Sequence, residues 1–154
     1  MRSKMLMLAL ALVFVGAFAA PAARADVTVN VNRSDLQPLP IATPAFTGGQ
    51  VGADIAGVIS ANLQRSGLFR PLDPGSFLEK DLNPAVQPNF ANWKQINAQA
   101  LVNGTVTVEG GRLKVDFRLW DVYAEQQLLG LQFTSSPENW RRVAHKISDA
   151  VYER

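Results

Sequence analysis

At 154 residues, 47% of them hydrophobic and 18% charged, the chain has the content of one ordinary domain, large enough to bury about 68–70% of its unfolded surface. It has no cysteine and one histidine, which excludes thiol catalysis and disulfide stapling and leaves a protein-only zinc site dependent on carboxylates. The formal charge of +2 comes from the first 25 residues: without Arg2, Lys4 and Arg24 there are 12 basic against 13 acidic side chains, and no basic run interleaves with aromatics, so nothing points to nucleic acid.

Met1 to Lys4 is short and basic, Met5 to Phe18 is almost wholly apolar, and Ala23-Arg24-Ala25 places small residues before Asp26. The pattern predicts a secretory signal peptide over 1–25 and a mature domain over 26–154. A membrane anchor fits less well, because a span needs about 20 apolar residues and this run is broken at Pro21 and Arg24. No cysteine follows to carry a lipid, so the expected address is the periplasm, with no membrane span after cleavage.

The mature chain opens with Asp26, Val27, Thr28, Val29, Asn30, Val31 and Asn32, in which valines alternate with polar residues as in a strand. Two readings stay open: an edge strand of the domain's own sheet, or an arm that adds to the sheet edge of a partner. Leu36 to Ala42 carries Pro38 and Pro40, which predicts an edge strand or extended linker. After a loop over 44–49, Val51, Ile55, Val58, Ile59 and Leu63 fall on one helical face, and Ser66-Gly67 supplies a stop with Leu68 placed for the contact that follows a glycine cap. Gly48-Gly49 lacks the lysine and spacing of a phosphate loop and reads as a turn.

Leu68 to Leu72 is a short strand closed by the turn Asp73-Pro74-Gly75. Phe77 to Asn89, rich in proline and amides, reads as a surface excursion, and 92–98 as a short helix. Beyond it Val102, Gly104, Val106 and Val108 alternate with Asn103, Thr105, Thr107 and Glu109, and Leu113, Val115, Phe117 and Leu119 alternate with Arg112, Lys114, Asp116 and Arg118. Gly110-Gly111 between them makes a two-residue hairpin loop, which pairs Glu109 with Arg112 and Gly104 with Phe117. A third strand through Leu129, Leu131 and Phe133 falls into step if Leu119 faces Leu129, with Asp121 to Gln127 as a wider loop. Ser135-Ser136-Pro137-Glu138 then starts a serine-capped helix whose apolar face is Trp140, Val143, Ala144, Ile147 and Val151, opposite Arg141, Arg142, His145 and Asp149. The fold class expected is α/β: a single domain with a mixed sheet that includes this C-terminal three-stranded antiparallel meander, and two main helices packed on it.

Chemistry is sparse. His145 lies four residues before Asp149, so an imidazole–carboxylate pair on one helix face is available, but a triad also needs a nucleophile and a surface role fits better. Asp54, Asp73, Asp116, Asp121 and Glu125 are scattered and form no convergent pair. The expectation is no enzyme, no cofactor and no metal. Asn103-Gly104-Thr105 has the form of a glycosylation sequon but lies in mid-strand. Trp120 shares the parity of the polar face, so it either covers a sheet edge or is exposed for contact with another domain or protein.

Three stretches resemble the TolB amino-terminal domain family: Leu63-Gln64-Arg65-Ser66-Gly67-Leu68-Phe69; Asn89-Phe90-Ala91-Asn92-Trp93 continuing through Ala98 to Val102-Asn103-Gly104; and Trp140 to Asp149. The resemblance runs over essentially all of 26–154. It implies a soluble, noncatalytic periplasmic component of the Tol-Pal system, which supports outer-membrane integrity and envelope constriction in division. It also implies an α/β domain followed by a β-propeller that contacts the lipoprotein Pal and is absent from this sequence. The extreme N-terminal segment of the family binds the C-terminal domain of TolA, which by position is Asp26 to Asn32 here. The alternative is a stand-alone periplasmic regulator of an envelope enzyme on the same scaffold.

Overall fold

The computed structural model describes residues 37–154; the predicted signal peptide and the Asp26–Asn32 strand lie outside them. Five strands form one mixed sheet: β1 (Leu39–Ala42), β2 (Phe69–Pro71), β3 (Ala100–Glu109), β4 (Arg112–Asp121) and β5 (Gln126–Ser135), in the spatial order β2-β1-β3-β4-β5. β1 runs parallel to both β2 and β3, and the rest is antiparallel. Helix α1 (Gln50–Arg65) carries the chain from β1 to β2, as parallel neighbours require. The short α2 (Phe90–Gln95) precedes β3, and α3 (Trp140–Tyr152) follows β5.

The meander forms in the expected register. Glu109 pairs with Arg112, Val106 with Val115 and Gly104 with Phe117, about a loop whose glycines have φ of 56° and 74°, and Leu119 pairs with Leu129. Its last turn is tighter than expected: β4 runs to Asp121 and β5 begins at Gln126, because a bulge at Leu119/Trp120 absorbs Leu128. The Asp121 carboxylate accepts from Ala124 N at 2.8 Å, closing the turn locally.

One face of the sheet is covered by α1 and α3. Ile55, Ile59 and Leu63 from α1 and Val143, Ala144, Ile147 and Val151 from α3 close on Ile41, Val102, Val115, Phe117 and Leu119, with the Phe117 and Phe133 rings stacked 6.1 Å apart. The cover thins at the hairpin tip and on the outer strand, where Val108 is 63% and Leu131 40% exposed. At the start of α3 a 3₁₀ turn over Pro137–Asn139 intervenes, and Ser136 makes no side-chain cap. Its hydroxyl oxygen instead accepts from Asn139 Nδ2. The backbone N–H of Glu138, and then the Ser136 side chain, hold the Glu138 carboxyl below the usual carboxylate range.

Three expectations are corrected. β1 is neither edge nor linker but an interior strand, and its prolines are tolerated for a visible reason. Pro40 precedes the first registered pair with β3, Ile41↔Ala100, and still accepts from Gln99 N at 2.9 Å, so the missing donor falls where the ladder has yet to begin. Leu68 does not pack after the glycine stop; it is half exposed. The segment Phe77 to Asn89 is more than a surface excursion: most of it is exposed, but with α2 it covers the second face of the sheet, where Phe77, Phe90, Trp93 and Ala98 pack on Ala42, Leu101, Trp120 and Val122.

Asn97, which follows α2, has φ of 58°, a conformation asparagine accepts more readily than other side-chain-bearing residues. Asn97→Ala is expected to lower stability by about 1 kcal/mol, while Asn97→Gly stays close to the parent, in urea titrations read by tryptophan fluorescence.

Candidate functional site

The segment expected to bind a partner, Asp26, Val27, Thr28, Val29, Asn30, Val31 and Asn32, lies outside the described residues. What the structure supplies is the point at which that arm joins the fold. Gln37 and Pro38 lead directly into β1, and a cleft of about 400 Å³ at this root is lined by Gln37, Pro38, Leu39, Pro40, Arg70 and Gln99. Leu39 N donates to Leu68 O at 2.8 Å, Leu72 N to Ile41 O at 2.9 Å, and Gln99 N to Pro40 O at 2.9 Å. β1 is therefore bonded on both sides, and Pro38 and Pro40 each fix φ near −65°. The described chain thus enters the sheet at an interior strand, next to the edge strand β2, through a stiff segment.

The remaining sequence candidates take structural roles. Trp120 is buried, not exposed: its ring meets Phe90 edge-on at 5.8 Å and its Nε1 donates to Asn103 Oδ1 at 2.8 Å. Its parity was read correctly, but that face has a cover at this end. Asn103 is only 1% exposed, so the sequon is closed to modification in the folded chain. His145 is exposed on α3, as expected, but its neighbour is Asn62 of α1, whose Nδ2 lies 2.9 Å from His145 Nδ1 and 3.0 Å from Ser148 Oγ. Ser148 donates to Ala144 O, so this group clamps two helices rather than activating a hydroxyl.

The carboxylates are employed locally. Asp54 accepts from Gln50, Asp73 from Gly75 N, and Glu125 forms the ion pair with Lys94 that ties the β4–β5 turn to α2. Among the described residues no cluster of three or more His, Asp or Glu side chains could hold a metal ion, and no helix is long and apolar enough to cross a membrane. Glu79, not singled out from sequence, is central to the second face: it accepts from Trp93 Nε1 at 2.6 Å and from Asn89 N at 3.3 Å. Its only sequence signal was an acid ten residues before an asparagine–phenylalanine helix start.

A mixed sheet with β3 at its centre and β1 beside it, paired helices on one face and a loop-and-helix cover on part of the other define a small α/β module. The chain belongs to the TolB amino-terminal domain family, whose model matches residues 27–128. Its fold is similar to that of TolB from Acinetobacter baumannii, with a TM-score of 0.62 and 23% identity over 76% of this chain and 28% of that one. The chain thus spans less than a third of that protein. Lipoprotein GNA1162 from Neisseria meningitidis matches over 75% of this chain and 96% of its own, at a TM-score of 0.50 and 16% identity. The C-terminal domain of LpoB from Salmonella enterica matches over 66% and 84%, at 0.49 and 12%. At these identities the likeness to TolB and to GNA1162 concerns fold alone.

Proposed function

We propose that this chain is a noncatalytic periplasmic adaptor domain of the Tol-Pal system, whose arm, Asp26 to Asn32, binds the C-terminal domain of TolA by adding a strand to it. The observation that carries the reading is the root of the arm. In support of it, the family match begins at residue 27, and the chain that follows the segment enters the sheet at an interior strand held on both sides. Alternating valines suit strand addition, in which backbone bonds supply affinity and alternate side chains supply selectivity. On this reading contact with Pal belongs to a β-propeller rather than to this domain, and the system's support of outer-membrane integrity and constriction in division is reached through TolA.

Calorimetric titration of the chain beginning at Asp26 into the TolA C-terminal domain is expected to show binding. Removal of Asp26 to Asn32 is expected to abolish it while leaving the thermal unfolding midpoint within a few degrees. No binding by the longer chain, or equal binding by both, overturns the reading.

A further inference from the structure

The two edges of the sheet are guarded very differently. β2 exposes Phe69, Arg70 and Pro71, a short edge with a proline and a charge, both of which discourage pairing with another strand. β5 is ten residues long, QQLLGLQFTS, with neither proline nor charge. Its one interruption is the bulge at Leu128, which leaves Leu129 to Ser135 in regular register with β4.

The hairpin fixes which backbone groups of that run are free. A two-residue loop makes Glu109↔Arg112 a hydrogen-bonded pair, so bonding alternates along β4: Arg112, Lys114, Asp116 and Arg118 bond to β3, and Leu113, Val115, Phe117 and Leu119 to β5. The bonds from Thr47 N to Gly104 O and from Val106 N to Thr47 O, on the other side of β3, follow the same alternation. In β5, then, Leu129, Leu131 and Phe133 bond inward, while Gly130, Gln132 and Thr134 point their N–H and C=O groups away from the sheet.

Charge surrounds this edge without lying on it. On the face away from α1 and α3, Lys114 and Arg118 stand opposite Thr134 and Gly130, with Asp116 between them opposite Gln132. Gly130 has no side chain where a Cβ would meet Arg118 Cδ at 2.8 Å and Nε at 2.9 Å, so the arginine lies across β5 at that point. On the helix face, Lys146 Nζ stands 5.8 Å from the centre of the Phe133 ring, and Leu131 is 40% exposed. Among the described residues the only salt bridge is Lys94–Glu125, so none of these cations is paired with a carboxylate there; Arg118 Nη1 donates to Phe117 O at 2.8 Å.

We propose that the outer edge of β5, from Leu129 to Ser135, is a second docking site, separate from the arm, that takes an extended segment of a partner protein whose residues alternate between apolar and acidic. The apolar side chains continue the Leu129–Leu131–Phe133 face, the carboxylates meet Arg118 and Lys114, and the backbone bonds to Gly130, Gln132 and Thr134.

The test uses the chain beginning at Asp26, titrated with a short capped peptide alternating glutamate and valine and, in parallel, with its lysine-for-glutamate analogue. Amide NMR is expected to show saturable shifts at Gly130, Gln132 and Thr134 with the glutamate peptide, and at least tenfold weaker binding of the lysine analogue. Gln132→Pro removes an outward donor that the β4–β5 ladder does not use and is expected to cut affinity at least tenfold. Arg118→Glu, which leaves the β5 backbone as it is, is expected to invert the peptide preference and stands in if the proline variant unfolds. Unmoved β5 amides, or equal binding of the two peptides, overturns the proposal. A dimer seen by sedimentation and lost in Gln132→Pro overturns it in favour of a second copy as the occupant.

Discussion

Gly104→Ala is expected to lower the unfolding free energy by about 3 kcal/mol, at the upper end of what overpacking a core costs. Gly104 lies in β3, opposite Phe117 of β4, and the Phe46 ring lies directly over it. A Cβ there would stand 2.5 Å from Phe46 Cε2 and 2.6 Å from the Asp116 carbonyl oxygen. The ring could turn aside, but the carbonyl belongs to the β3–β4 ladder and cannot. Phe46 also begins the segment that returns to β3: Thr47 N donates to Gly104 O at 3.0 Å and Val106 N to Thr47 O at 2.8 Å. Displacing the ring therefore strains the entry to α1 as well. In urea titrations Gly104→Ala should shift the midpoint strongly, and combining it with Phe46→Leu should recover only the part due to the ring, leaving a coupling readable in a double-mutant cycle. A loss below 1 kcal/mol would mean that the β3–β4 backbone yields at this point.

Trp93→Ala is expected to cost about 3–5 kcal/mol, the usual range for removing a buried aromatic. Trp93 is 1% exposed, lies 5.3 Å from the Phe77 ring, and donates to the Glu79 carboxylate. The substitution removes the centre of the second core and leaves Glu79 bonded only to Asn89 N. Trp93→Phe should cost less than Trp93→Ala, since one aromatic ring is kept; it loses the charge-assisted hydrogen bond, about 1.5–3 kcal/mol, together with part of the indole packing. Because the second core is confined to the 72–98 segment and one end of the sheet, limited proteolysis of Trp93→Ala should cut within 77–89 before the meander. Resistance of that segment, with near-parental stability, would contradict the packing described for the second face.

What the sequence made legible was local. The meander's register follows from a two-residue loop and a period of two, both contained within thirty-odd residues of chain. The stop at Ser66-Gly67 and the apolar face of α3 rest on similarly short spacings. What stayed hidden depends on contacts distant in sequence. Pro40 marks a strand poorly suited to a ladder interior, and only the position of Ile41↔Ala100 shows why its missing donor is harmless. Trp120 and Leu101 carry the parity of a solvent face, and nothing near them announces that Phe77, Phe90 and Trp93 come back to cover it. The prolines and amides of 77–89 are the composition of a loop. That the loop is also a lid over a core is settled by Phe77, Pro84 and Pro88, buried at positions with no periodicity to reveal them. The alternation at Asp26 to Asn32 lies outside the described residues, and the prolines of Leu36 to Ala42 suggest an edge strand or extended linker where β1 is interior.

The interior position of β1 has a mechanical consequence. A strand on the rim of a sheet can be peeled off one hydrogen bond at a time, at low force. β1 is flanked by β2 and β3 in parallel register, so a pull along its axis through the residues before Gln37 loads both ladders in shear, and their bonds must fail together. Tension applied at Gln37 is thus delivered to two strands at once, with β3, the longer neighbour of β1, passing it on to the meander.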